Sequence, residues 1–374
     1  MKDRVAIVCA AGIISGKEIM ALELGTGLSS LGCSIEMVTS FWGNREFRER
    51  CARDGFAVHV MRLGFISASL DKSSIYMTGH QLFHWPGLLF SYRRFVKCRK
   101  PRRIVQTNWH HSLLLFPLLR ADRDLLWVHE VIPDKPQYRR VFGWLAKRIG
   151  HFVAVSQAVA TSLQRIGIAQ NQISVIYNGI ADPLESGELT RSTTNRQVIG
   201  IVGQIAPWKG HDDLLDAFSM IGPSLPRAEL HLFGRGEASY EAFLKERASS
   251  LGIADRIVWH GFLSASRQIY GQMDICVVPS RSEDALPTAA IEAAFFRIPV
   301  VATRQGGLPE IIEDGCTGLL VDAGQPAQLA FSLTALLENE SRCTEMGRQA
   351  RRRATERFCR GRFVREFAAL LDKN

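Results

Sequence analysis

Short apolar runs, each followed by a stretch of helical periodicity, form two series along this chain, one on either side of a polar segment. No other feature constrains the fold as much. In the first series, residues 5–10 make an apolar run ending in small residues. Ile19, Leu22, Leu24 and Leu28 then recur at helical spacing, Gly32 closes the helix, and residues 35–39 read as the next strand. Further strand-like runs stand at 104–107, 125–129 and 152–156. Residues 181–196, ADPLESGELTRSTTNR, are polar, contain Pro and Gly, and hold almost no core side chain, so they read as a linker. The alternation then restarts, with strands at 198–202, 229–233, 257–260, 275–279 and 300–302 and helices at 211–221, 240–251 and 288–296. Alternating strands and helices build parallel sheets covered by helices. Two series therefore predict two doubly wound α/β domains facing across a cleft, with ligands beyond the carboxyl ends of the strands. The 374 residues are enough for two cores of roughly 150–200 residues each.

Several classes are excluded. No run of about 18 apolar residues is present, so no membrane-spanning helix is expected. The start, MKDRVAIVCAAGIISG, has the basic end and apolar run of a secretory signal, but Asp3 interrupts it and it leads into a helical pattern. A buried first strand is the better reading. The eight cysteines show no C-x-x-C and no regular spacing, which argues against a zinc site or a disulfide framework and for reduced thiols in a cytoplasmic protein. The net charge of +9 is lopsided: residues 1–190 hold 24 Lys and Arg against 15 Asp and Glu, and the remainder holds 22 of each. That asymmetry points to an anionic partner for the first half: a membrane surface, a phosphorylated acceptor or nucleic acid. Residues 85–103, WPGLLFSYRRFVKCRKPRR, place Leu88, Leu89, Tyr92, Phe95 and Val96 on one side of a helix and Arg93, Arg94, Lys97 and Lys100 on the other. This is the pattern of a basic helix lying in a headgroup plane, or of an ordinary helix packing its apolar side on the sheet. No helix-turn-helix or aromatic-interleaved basic motif suggests nucleic acid.

Two segments carry chemistry. In the first, residues 279–310, a buried strand ends at Pro279 and an acidic loop with Glu283 and Asp284 follows. Leu286 and Pro287 then lead into a helix that starts near Thr288 and carries Glu292, and a further strand runs to the loop Gly306-Gly307. A helix N-terminus offers unpaired N–H groups and partial positive charge, a seat for phosphate, and nearby carboxylates can accept from sugar and ribose hydroxyls. The bland alternative for the two acids is a solvated loop complementing the helix dipole. The second segment, residues 203–218, presents Lys209 and Gly210 in a strand-to-helix turn, where a lysine could reach a diphosphate or simply be a surface charge.

These segments resemble the family 4 glycosyltransferases, retaining enzymes of the GT-B fold with two Rossmann-like domains, and the resemblance covers almost the whole chain. Gly203–Gly210 matches a G-R-x-x-x-x-K-G loop, and Glu292-Ala293, Pro299-Val300 and Gly306-Gly307-Leu308-Pro309-Glu310 match the distal motif. Ser156, Tyr177-Asn178-Gly179, Asp274 and Pro279-Ser280 add further matches in order. The resemblance implies that residues 1–180 bind the acceptor and 197–355 the nucleotide sugar, and that 356–374 form a C-terminal helix returning to the first domain. It also assigns roles. Lys209 neutralises the donor diphosphate, Glu292 binds the ribose, and Asp284 or the adjacent Glu283 contacts the donor sugar. His129 in WVHEVIP faces the sugar, and a glycine-rich turn with Gly12 and Gly16 approaches the phosphate. The family arginine is replaced by Gln204, with Arg235, Arg281 and Arg304 as candidates to compensate.

The implied reaction moves a sugar from a nucleoside diphosphate sugar to a hydroxyl of a glycan or lipid-linked acceptor, without metal or other cofactor. It would take place in the cytoplasm, with peripheral docking on the inner face of the membrane as an added expectation. The rivals are a catalytically degenerate binding subunit, a sugar-nucleotide epimerase on the same scaffold, and a nucleotide-dependent oxidoreductase. The last lacks a G-x-G-x-x-G turn after the first strand.

Overall fold

The structure, a computed structural model, describes residues 3–10, 16–43, 45–64, 66, 72–185, 187, 196–222 and 224–373. Gly12 and most of the linker lie outside them. The chain divides into two compact units, one of Met1–Ile180 with Arg360–Asn374 and one of Ala181–Cys359.

Among the described residues the first unit is built on seven parallel strands: β1 (Arg4–Val8), β2 (Ser34–Ser40), β3 (Ala57–Met61), β4 (Arg103–Gln106), β5 (Asp124–Val128), β6 (His151–Ala154) and β7 (Ile173–Val175). Their order in the sheet is β3-β2-β1-β4-β5-β6-β7. The second unit has six: β8 (Gln197–Val202), β9 (Ala228–Phe233), β10 (Ile257–Gly261), β11 (Ile275–Val278), β12 (Val300–Thr303) and β13 (Gly318–Val321), in the order β10-β9-β8-β11-β12-β13. Strands such as ICVV and VVAT are buried at every position, as a parallel sheet covered on both faces requires. In each sheet the winding reverses beside the first strand, between β1 and β4 and between β8 and β11. A crevice opens at such a point beyond the carboxyl ends. Both units thus have the doubly wound, Rossmann-like architecture.

The chain's last helix, Arg360–Lys373, belongs to the first unit. It starts four residues later than the 356 read from sequence, because the helix Glu340–Arg357 stays with the second unit. Phe363 and Phe367 pack on the buried Trp127 of β5, with ring centroids 5.6 and 4.9 Å away. Arg103 Nε donates to Leu371 O at 2.9 Å, and Arg360 pairs with Glu23. Gly27, on the helix Gly16–Ser30, permits this approach, since a Cβ there would stand 2.1 Å from Val364 Cγ2. The start of the linker is likewise not loose. Asp182 pairs with Arg351 at 2.5 Å, and Arg267 donates to the carbonyls of Pro183 and Gly187 at 3.1 and 2.8 Å.

Of the two readings open for the stretch 85–103, its apolar side follows that of an ordinary helix packed on the sheet. Residues 85–99 of the basic stretch are the end of a 28-residue helix, Lys72–Arg99, with Pro86 inside it, while Lys100 has φ 49° and Arg103 begins β4. Leu88, Tyr92 and Phe95 are buried, and the Tyr92 hydroxyl accepts from Gln106 Nε2 at 3.1 Å. That apolar side packs on its own sheet and is not presented to a membrane. Among the described residues no helix is long and apolar enough to cross a bilayer. All eight cysteines are unbridged.

Candidate functional site

In the second unit, the loop after β8 turns through Pro207–Lys209 and reaches Gly210 in the left-handed region (φ 71°), from which the helix His211–Ile221 starts. A Cβ at Gly210 would lie 2.0 Å from Pro279 O, so glycine lets this turn press against the end of β11. The close approach has a chemical result. Lys209 Nζ reaches Asp284 Oδ2 at 2.5 Å, joining the ends of two neighbouring strands through opposite charges. The ammonium also stands 4.2 Å from the centre of the Trp208 ring, a cation–π contact.

The acidic loop is held from both sides. Arg281 N donates to Trp208 O at 2.8 Å, and the Arg281 guanidinium grips Asp212 at 2.8 Å and Asp213 at 2.6 Å. Hydrogen bonding to Asp213 raises the arginine well above its ordinary range. On the other side Gly307 N donates to Asp284 O at 2.8 Å. Gly306 has φ 53°, and a Cβ on it would meet Asp284 O at 2.1 Å. The Gly-Gly pair therefore positions the backbone of the acid that faces Lys209.

Asp284 is thus the acid turned to Lys209, whereas Glu283, left open from sequence as an equal candidate, is exposed. Ala285, Leu286 and Pro287 are buried, and the helix Thr288–Phe295 begins with no side-chain cap, leaving N–H groups at its start for an anion. Glu292, one turn further, is half-buried. Burial first and then its carboxylate push the Tyr270 hydroxyl well above the ordinary value and the Cys276 thiol up to about 12.

Gln204 is exposed in the place of the family arginine. Of the three arginines considered as substitutes, Arg281 is held by Asp212 and Asp213, and Arg304 pairs with Asp314 at 2.8 Å. Arg235 instead lines a cavity of about 270 Å³ at the carboxyl ends of β8, β9 and β10, with Ile205, Glu241, Lys245 and Trp259. Sequence reading gave no reason to choose among the three, because only the fold reveals that Asp212, Asp213 and Asp314 already hold two of them.

In the first unit a cavity of about 320 Å³ lies at the carboxyl ends of β4 and β5, lined by Lys17, Trp109, His110, His129 and Glu130 among others. Gly16 begins the helix that carries Lys17. His129 Nε2 is buried and has no hydrogen-bond partner among the described residues. Burial, then the Lys17 charge, holds its pKa well below the usual histidine value, so the ring is neutral. Burial raises the Glu130 carboxyl, which accepts from Trp109 Nε1 at 2.9 Å. His110 is pushed down to about 4 and the fully buried His111 to about 3, again mainly by burial. Trp109 and Glu130 were not singled out from sequence, although Glu130 directly follows His129. The segment Asp122-Arg123-Asp124 has the D-x-D form of a metal loop, but it stands at the amino end of β5. Its Asp124 is buried and paired to Arg123 at 2.7 Å, a structural arrangement.

A family model described as glycosyltransferase family 4 matches residues 14–182, and one described as glycosyl transferases group 1 matches residues 188–353. A D-inositol 3-phosphate glycosyltransferase of Segniliparus rotundus is 36% identical over 160 residues, which are 41% of this chain and 35% of that protein. The chain's match thus spans about a third of that relative's length. The lipopolysaccharide core biosynthesis mannosyltransferase LpsB of Rhizobium meliloti is 26% identical over 280 residues, 71% of this chain and 78% of the relative. Among solved structures, Anabaena HepE, crystallised with UDP and glucose, superposes with a TM-score of 0.81 at 18% identity over 99% of both chains, which establishes the shared GT-B fold. With two adjoining family models covering most of its length, the chain belongs to glycosyltransferase family 4, of the group 1 glycosyl transferases.

Proposed function

We propose that this protein transfers a sugar from a nucleoside diphosphate sugar to a hydroxyl of a glycan or lipid-linked acceptor, with retention of anomeric configuration. The observation that carries the reading is the Lys209–Asp284 pair, set at the strand ends beside an uncapped helix N-terminus. A donor diphosphate takes Lys209 and the N–H groups near Thr288. Asp284, released from its lysine, accepts from hydroxyls of the donor sugar, and Glu292 accepts from the ribose. The bond from the anomeric carbon to the diphosphate oxygen then breaks, and the diphosphate leaves with the electron pair. The acceptor oxygen bonds the same face, and its proton passes to the leaving phosphate oxygen. Lys209 and the helix end stabilise the negative charge growing there, as fixed dipoles and charges that need no reorganisation. These groups supply positive charge without a metal, so chelator should leave the rate unchanged. In the first unit, neutral His129, whose Nε2 has no partner among the described residues, is suited to hydrogen-bond a sugar hydroxyl.

The names of the relatives, an inositol-phosphate glycosyltransferase and a lipopolysaccharide mannosyltransferase, support sugar transfer to a hydroxyl acceptor. The test is incubation of the purified chain with UDP- and GDP-sugars and candidate acceptors, following nucleotide release and the product's anomeric proton by NMR. Lys209→Ala should lose about 3–4 kcal/mol of barrier lowering, roughly 10²–10³-fold in kcat. A Lys209→Ala enzyme with the wild-type rate, or an inverted product, overturns the assignment.

A further inference from the structure

The helix Lys72–Arg99 has an outward face that the transfer chemistry does not use. Tyr76, Phe83 and Phe90 follow at intervals of seven residues, so they stand in one row on the side opposite the buried Gln81, Leu88 and Tyr92. They are 73%, 81% and 69% exposed. Ile75 and Leu82 are exposed on the flank of the row. The loop after β2 extends the surface with exposed Phe41 and with Trp42, whose ring lies 5.2 Å from that of His80. Large apolar side chains gathered in water on one face mark an interaction surface. The helix contains no acidic residue. On the same face Lys72 stands at one end and Arg94 and Lys97 at the other, with Arg93 beside them, all exposed.

We propose that this face docks on the surface of an anionic lipid bilayer. Tyr76, Phe83, Phe90 and Trp42 enter at headgroup level, where aromatic side chains are favoured, and the four basic residues meet lipid phosphates. Charge decides against a second copy as the occupant. A two-fold pairing of the helix on itself centred at Phe83 sets Lys72, eleven residues before, against Arg94, eleven after, and like charges face each other at both ends. The same charges are complementary to an anionic leaflet. Phe41 and Trp42 directly follow the last residue of β2, at the carboxyl edge of the sheet, the edge at which the His129 cavity lies. Docking there brings that cavity to an acceptor held in the lipid. This last point rests on the proposed function, whereas the docking itself does not.

Vesicle sedimentation of the full chain tests it, with phosphatidylglycerol–phosphatidylcholine vesicles beside pure phosphatidylcholine. The chain is expected to sediment with the anionic vesicles and to be released as salt rises toward about 0.5 M, because screening shortens the reach of the charges. Phe83→Ser with Phe90→Ser should reduce partitioning roughly tenfold through lost apolar burial. Arg93→Glu, Arg94→Glu and Lys97→Glu together should remove the preference for anionic lipid. All five positions are exposed, and unchanged thermal unfolding verifies that the variants are folded. Equal sedimentation with both vesicles, or none with either, overturns the proposal. So does a vesicle-free dimer in analytical ultracentrifugation that Phe83→Ser dissolves. Since none of these readouts involves sugar transfer, a failure here leaves the proposed reaction standing, and the reverse.

Discussion

Lys209 and Asp284 hold each other at 2.5 Å, so the proposed donor binding requires each to exchange one partner for another. Asp284→Asn should weaken turnover by about 10²-fold, as loss of one charged contact in a preorganised site does. Glu283→Gln, at an exposed position, should change the rate less than about threefold, since surface changes of this kind are near neutral. Steady-state kinetics of the two variants distinguishes them, and the opposite order would return the role to Glu283. Gln204→Arg adds a charge where the family has one. It should tighten nucleoside diphosphate binding severalfold if Arg235 does not already serve the diphosphate, and calorimetric titration reads the difference. The buried histidines set an acid limit. His111 and His211 are held near 3 and 4, mainly by burial. Their folded values lie below the unfolded value of about 6.5, so the unfolded chain takes up protons that the folded chain refuses. Stability is therefore lost as pH falls below about 6.5, by about 1.4 kcal/mol per pH unit for each such group, until the folded pKa is reached. Thermal unfolding at pH 7 and pH 5 should show the drop, and His111→Phe should reduce it.

At the scale of elements, close approaches of glycine govern the geometry. Gly306→Ala must displace the Asp284 carbonyl, 2.1 Å from the new Cβ, at a residue that also has positive φ. Nucleotide binding should fall roughly 5- to 150-fold, a cost of about 1–3 kcal/mol, and equilibrium titration measures it. Gly27→Ala collides with Val364 and should lower the unfolding midpoint by loosening the last helix, with overpacking costing about 1–3 kcal/mol. The alternation of strand and helix was readable in advance because its apolar periods are local. The helix His211–Ile221 and the start at Thr288 fall where the pattern put them. Less legible were β3 and β7, whose residues are mostly only half-buried and so lack a clean apolar run. The helix Lys72–Arg99 was read over only part of its length, since Pro86 and the outward Tyr76, Phe83 and Phe90 blur its period. At the candidate site, residue types and order singled out Lys209 and Glu292 as candidates. That Asp284 rather than Glu283 faces Lys209, and that Arg281 is committed to two aspartates, depends on contacts between segments about 70 residues apart, which no local pattern encodes.

For the whole molecule, the order of the chain differs from the order of its parts. The polypeptide leaves the first unit after Ile180, builds the second, and returns at Arg360 to complete the first. Removal of 360–374 should therefore destabilise the first unit while leaving the second able to unfold at its own temperature. Calorimetry should show one transition lowered and one kept, and two unchanged transitions would contradict it. The same connectivity imposes a schedule on synthesis. The ribosome delivers Trp127 and Gly27 early but makes Phe363, Val364 and Phe367, which cover them, only after the intervening residues 181–359. At about 5–20 residues per second that wait lasts roughly 10–35 s. During this interval the nascent first unit carries an open apolar seam on its sheet and helix, a site at which a chaperone can bind, and the second unit is finished before the first.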